Sequence, residues 1–151
     1  MSMACDLCRH DGGRVVWRDA ALRVVLVDDP DYPGFLRVIW NEHVAEMSDL
    51  RAGDRERLMR AVFCAEAGLR RVLTPHKVNL ASLGNVTPHL HWHVIARYAD
   101  DAHFPQPIWG SRQRRCDAMA LAQRAAKLAE LEVVLVRDLD ATSAELAGQG
   151  R

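Results

Sequence analysis

The stretch from residue 79 to residue 98 constrains this chain most, because it sets histidines at every second position: His89, His91 and His93. In an extended strand alternate side chains share a face, so the three imidazoles project one way while Leu90, Trp92 and Val94 project the other. A helical period of about 3.6 residues would carry His91 to the far side from His89 and leave Trp92 on neither a polar nor an apolar face. The alternation therefore predicts a strand. A rise of about 3.3 Å per residue separates the first and third Cβ atoms by about 13 Å, whereas zinc holds nitrogen ligands at about 2.0 to 2.1 Å. A division of labour among the three rings fits better than one ion held by all of them. Three imidazoles buried as inert filling would each cost desolvation unless every ring nitrogen found a partner.

At 151 residues the chain has the length of one domain able to bury a core without staples. That domain is expected over residues 1–140, with a polar, glycine-bearing tail over 141–151 that frays. Lys plus Arg number 20 and Asp plus Glu number 20, so no long-range field draws a nucleic acid polymer or an anionic membrane, and any bound anion must be held by local donors. No apolar run reaches the length of a membrane span, and the opening MSMACDLCRH lacks the charged start and apolar centre of a secretory signal. A cytoplasmic location is the expectation. In such a reducing compartment four cysteines argue against a disulfide framework, and Cys64 and Cys116 read as idle thiols. Cys5 and Cys8 differ, being three positions apart. A redox pair of that spacing would follow a core strand and open a helix; two thiolates chelating zinc fit better here, although zinc needs two further ligands.

The rest of the chain supplies a frame for these groups. Residues 15–17 and 22–27 are short β-branched and aromatic runs that read as an antiparallel pair. Residues 28–34 carry two prolines and a glycine and form a loop, whose Asp28 could accept bonds from ribose hydroxyls or stand solvated as an ordinary turn residue. Residues 35–40 make a third strand, and His43 just beyond it could reach a metal or cap the following helix. From 52 to 73 apolar residues recur at helical spacing, giving the main helix, ended by Thr74 and Pro75. Residues 77–83 and 89–98 are the fourth and fifth strands around a turn. The proline-interrupted segment from His103 to Trp109 is loop, either a lid over a ligand or packing. Residues 117–130 have the alanine-rich composition of a C-terminal helix, and 133–136 could add a short sixth strand.

Two separated pieces resemble one family. His-Leu-His-Trp-His-Val-Ile at 89–95 is similar to the signature of the histidine triad (HIT) superfamily, and Pro33-Gly34-Phe35-Leu36-Arg37-Val38-Ile39 with His43 resembles that family's upstream strand. Phe35 stands where the family usually has a histidine, and Trp40-Asn41 where it often has proline and lysine. The resemblance implies an α+β fold, with a five-stranded antiparallel sheet, one long helix packed on it and a C-terminal helix, assembled as a homodimer through joined sheets. It implies a nucleotide substrate, a purine nucleoside phosphate, handled by a hydrolase or nucleotidyltransferase at the α-phosphate. His91 would attack phosphorus and carry a covalent nucleotidyl group, and His93 would bond the phosphate. Asn79 and Asn85 match the side chains that contact leaving group and phosphate, and Asp28 matches the ribose contact. In zinc-bearing branches the ligands correspond to Cys5, Cys8, His43 and His89, a closed structural tetrahedron that frees His91 and His93 for substrate.

Three functions from different classes remain distinguishable on this sequence. One is the nucleotide phosphohydrolase or transferase. Another is a nucleotide-binding or partner-binding module with negligible turnover. The third is a hydrolase whose triad holds a catalytic ion, which chelation would inactivate without unfolding.

Overall fold

The protein's computed structural model describes residues 5–149. Its five strands are β1 (Arg14–Arg18), β2 (Leu22–Leu26), β3 (Leu36–Trp40), β4 (Lys77–Ala81) and β5 (His91–Arg97), joined in one sheet in the order β1-β2-β3-β5-β4. Every neighbouring pair is antiparallel. The helices are α1 (Asp6–Arg9), α2 (Ala52–Leu73), α3 (Ala118–Ala125) and α4 (Leu128–Gln149). This is the expected α+β architecture, a five-stranded antiparallel sheet with α2 packed on it and a C-terminal helix, although that C-terminal helix, α4, is as long as α2. Met1 to Ala4, Gly150 and Arg151, which the expected domain and tail include, lie outside the described residues.

Alternation along the strands divides the sheet into two unlike faces. Leu36, Val38 and Trp40 of β3 with Val94 and Ala96 of β5 point to one side, where α2 and α4 close the main core. Leu58, Val62, Leu69 and Val72 of α2 meet them, the helical stripe that the sequence announced. Arg37 and Ile39 of β3 and His91, His93, Ile95 and Arg97 of β5 point to the other side, which among the described residues no long helix covers. Two small apolar clusters cap that face: Cys5 and Leu7 around α1 with Val25 and Ile39, and Tyr32, Phe35 and Ile95 with Val27 and Ile108. The triad's own face is thus open between two lids of side chains.

A strand expected at 133–136 is instead part of α4, which runs on to Gln149 through most of the segment 141–151 expected as a tail. The reason is a stripe of Leu131, Leu135 and Leu139 at every fourth position, all buried, which outweighs the local β-branched run; Val133 in that run is 71% exposed. Gly68 lets α2 approach α4 closely, since a Cβ there would lie 2.9 Å from Leu135 Cδ2. The alanine-rich helix also proves shorter than expected, running as α3 from the cap at Asp117, whose side chain accepts Met119 N–H, and breaking before α4.

The connection after β5 is fixed by charge. Arg97 and Asp101 are 2% and 1% exposed and pair through Nε to Oδ2 at 2.7 Å and Nη2 to Oδ1 at 3.0 Å. Asp101 also accepts the backbone N–H groups of Tyr98, His103 and Phe104, while Arg97 reaches the Gln106 carbonyl at 2.7 Å and Asn79 Oδ1 at 2.6 Å. The segment from His103 to Trp109 is therefore tied to the end of β5 by a saturated buried ion pair.

Candidate functional site

His91 and His93 both lie in β5, on the open face, with ring centroids 4.8 Å apart and planes 82° to each other. The cross-strand partner of His91 is Ile39 and that of His93 is Arg37, so the imidazoles stand beside β3 rather than at a sheet margin. His91 Nδ1 is 2.6 Å from the carbonyl of His89. A carbonyl can only accept, so Nδ1 carries the proton and the lone pair sits on Nε2. Burial, against the help of that hydrogen bond and with Arg37 nearby, holds the His91 ring below the ordinary imidazole range. His93 is brought down to about 4 by burial, then by His91 and Arg37. Near pH 7 both rings are neutral, the state in which an imidazole nitrogen can act as a nucleophile or as a hydrogen-bond partner.

These two histidines line a cavity of about 460 Å³. Gly84, Asn85, Val86 and Thr87 form one wall, Leu7, His10 and Gly12 another, and Arg37 and Trp109 complete it. Trp109, half exposed, sets its indole edge-on to His93 with centroids 4.9 Å apart. Asn85 of the expected substrate contacts is in this wall. Asn79 and Asp28 are not. Asn79 gives its side-chain oxygen to Arg97, and Asp28 lines a separate cavity of about 670 Å³ bordered by Gly13, Gly34, Leu121 and Leu128.

His89 stands ahead of β5, where the ladder gives way: its neighbour Leu90 donates its N–H to the Val44 carbonyl at 2.7 Å, which draws the loop bearing His43 alongside. The His89 ring turns away from the cavity. Its Nε2 lies 2.6 Å from the Trp40 carbonyl and therefore carries the proton, leaving Nδ1 to face 3.4 Å and 3.5 Å approaches from the sulfurs of Cys5 and Cys8. His43 Nδ1 is 3.4 Å from the Cys8 sulfur. One ligand atom from each of Cys5, Cys8, His43 and His89 falls within 4.8 Å of the others. This cluster could hold a metal ion, and its donor set of two thiols and two imidazoles suits one that takes soft and borderline ligands.

Sequence reasoning missed Arg37, the Arg97–Asp101 pair and the position of Trp109. For Arg37 a signal existed: Leu36, Val38 and Trp40 alternate as core residues, which puts Arg37 on the triad's face. For Trp109 none did, since its placement depends on the bonds that Arg97 and Asp101 make to the segment before it.

A sequence model of the HIT domain matches residues 11–100. The chain is 33% identical over 106 residues to a Mycobacterium tuberculosis protein (strain H37Rv) described as AP-4-A phosphorylase, a match covering 66% of this chain and 54% of that one. The chain thus spans about half the length of the curated relatives it matches. Among solved structures, a histidine triad protein from Bradyrhizobium japonicum superposes with a TM-score of 0.68 at 26% identity, covering 85% of this chain and 92% of that one. A histidine triad protein from Marinobacter aquaeolei gives 0.65 at 26%, covering 83% and 93%. A zinc-bound histidine triad family protein from Mycobacterium smegmatis shares the fold at 19% identity, TM-score 0.58, covering 88% and 99%. Among the described residues no helix is long and apolar enough to cross a membrane.

Proposed function

Because the chain belongs to the histidine triad family, we propose that it processes nucleotides, as a phosphohydrolase or nucleotidyltransferase acting at the α-phosphate through a nucleotidyl group carried on His91. The observation that carries this reading is the hydrogen bond from His91 Nδ1 to the His89 carbonyl. With that proton held, the Nε2 lone pair attacks phosphorus, the bond to the leaving group breaks, and the leaving oxygen or nitrogen departs with its electron pair and takes up a proton. The ring gains positive charge as the P–N bond forms, and the carbonyl that accepts its N–H strengthens its hold at that moment. Water or another acceptor then attacks phosphorus and loses a proton, the P–N bond breaks, and His91 returns to its neutral tautomer. His93 and Asn85 contact the phosphate oxygens. Substrates of the right class are purine nucleoside phosphates with a labile substituent: phosphoramidates, dinucleoside polyphosphates or adenylylated metabolites. The expected ribose contact at Asp28 and leaving-group contact at Asn79 would each require a neighbouring cavity to join the central one.

Zinc is the ion proposed for Cys5, Cys8, His43 and His89. Zinc–sulfur and zinc–nitrogen bonds of about 2.3 and 2.0 to 2.1 Å subtend a tetrahedral edge of about 3.6 Å, close to the 3.4 and 3.5 Å sulfur-to-nitrogen separations present. Bound there, it would supply a structural cross-link between α1 and the approach to β5, with four protein ligands and no position left for water. A homodimer is proposed through β4, which ends the sheet order and offers its outer edge for strand pairing; sedimentation velocity giving the monomer mass would exclude it. A cytoplasmic setting suits free thiols.

The deciding experiment is intact-mass spectrometry after brief incubation with adenosine 5′-phosphoramidate or a dinucleoside polyphosphate. A nucleotidyl mass increment that maps to His91 and vanishes in His91→Ala is expected. Tight nucleotide binding with turnover unaffected by His91→Ala would make the protein a binding module instead.

A further inference from the structure

Among the described residues four arginines project from this face of the sheet, and three are engaged; Arg18 of β1, the cross-strand neighbour of Arg23, pairs with Asp11. Arg23 of β2 donates to the carbonyls of Leu7 and Asp11 and to Asn41 Oδ1, at 2.7, 3.0 and 3.0 Å. Arg97 of β5 is filled by Asp101, Asn79 and the Gln106 carbonyl. Arg37 of β3, between them, makes one bond, from Nη1 to the Gly12 carbonyl at 2.9 Å. Its Nε is buried with no hydrogen-bond partner. Among the described residues no carboxylate comes within ion-pair distance of it; Asp6, the acidic residue on the cavity wall, is engaged by Arg9 at 2.8 Å. The guanidinium sits 5.6 Å from the Phe35 ring centroid, which restricts its motion without neutralising its charge.

A half-buried cation whose Nε is desolvated and unpaired, beside the two histidines and lining their cavity, is costly unless an anion completes it. Its placement by the register Arg37 to His93 fixes it next to the ring that flanks the nucleophile. We propose that Arg37 is a substrate-binding residue whose guanidinium takes a phosphate oxyanion of the nucleotide in the cavity it shares with His91 and His93. This rests on the nucleotide-processing reading above and adds to it the group that supplies positive charge. Guanidinium presents paired N–H groups in the plane that matches two phosphate oxygens, which lysine cannot do.

Isothermal titration with AMP, ADP and adenosine, on wild type, Arg37→Gln and Arg37→Lys, tests the proposal. Arg37→Gln is expected to weaken AMP at least tenfold and leave adenosine within twofold; Arg37→Lys should recover part of the AMP affinity. A larger loss for ADP than for AMP assigns the contact to the second phosphate, and equal losses assign it to the α-phosphate. If both variants bind AMP as wild type does, or lose adenosine and AMP equally, Arg37 is a strut for the Gly12 turn and the proposal fails. Should Arg37→Gln not fold, Arg37→Lys decides alone: AMP affinity reduced several-fold with adenosine unchanged supports the contact, and unchanged AMP affinity overturns it. The adduct on His91 is scored in parallel on wild type. Arg37-dependent AMP binding without an adduct sinks the catalytic reading and keeps this one, while an adduct with Arg37-independent affinity does the reverse.

Discussion

Replacing Asp101 with asparagine should destabilise the fold by about 3 to 5 kcal/mol, the usual cost of leaving one member of a buried ion pair without its partner. Asparagine keeps the shape and can still accept some of the N–H groups of Tyr98, His103 and Phe104, but it turns an uncharged amide toward a guanidinium that is 2% exposed. A second route gives a similar magnitude. Burial raises the Asp101 carboxyl, but the Arg97 hydrogen bonds and the three backbone donors outweigh it and hold the group down to about 2. Against an unfolded value of about 3.9, that depression is worth about 2.6 kcal/mol. The folded pKa lies below the unfolded one, so this stabilisation is complete above about pH 4 to 5 and is lost as pH falls toward 2. Urea and thermal unfolding of wild type and Asp101→Asn at steps between pH 7 and pH 2 read both quantities. The variant should melt about 6 to 20 °C lower at pH 7, and the two proteins should converge in acid. A loss under about 1 kcal/mol at pH 7, or a gap that stays constant down to pH 2, would refute the assignment of this pair as the anchor of the segment carrying Trp109.

Trp109→Ala removes the edge contact to His93 from a residue that is 50% exposed. Aromatic pairs of this kind are worth about 0.5 to 1.5 kcal/mol, so kcat/KM should fall by about 2- to 13-fold with little change in melting temperature; an unchanged kcat/KM would reduce the segment to packing. Elemental analysis should find about one zinc per chain, as a closed four-ligand site requires, and Cys5→Ser should lower both the zinc content and the melting temperature. Chelation that abolishes turnover while the melting temperature stays put would mean a catalytic ion instead.

Much of this was legible in residue order because the strands alternate cleanly. The main helix has the limits its apolar spacing announced, residues 52 to 73. The three histidines could be seen to need different duties, since a straight strand keeps the first and third too far apart for one ion. What stayed hidden depends on contacts between distant segments. That His89 leaves the ladder is decided by the carbonyl of Val44, far back in the chain. That Asn79 turns to Arg97 is decided by a side chain on the neighbouring strand. The run at 133–136 misled for a different reason: β-branched residues report a preference for a half-buried pleated surface, and here leucines spaced four apart had already committed the segment to pack as a helix on α2.

The spacing of two residues between His89 and His91 has a chemical meaning beyond placing rings on one face. A single residue, His89, offers its imidazole to the thiol cluster and its carbonyl to His91 Nδ1, so whatever fixes the first fixes the second. The same step repeated would tie His93 Nδ1 to the His91 carbonyl, making the second and third rings equivalent. It does not repeat: the His91 carbonyl accepts the Ser82 hydroxyl at 2.9 Å, and His93 Nδ1 is left buried without a partner. The triad is therefore periodic in sequence and unequal in bonding. Its first ring is held at both nitrogens, its second at the nitrogen that leaves Nε2 free, and its third at neither by this relay. A histidine whose Nδ1 is uncommitted can carry its proton on Nε2 and donate it to an oxygen acceptor, which the second ring, its proton committed through Nδ1 and its Nε2 bare, cannot do while neutral.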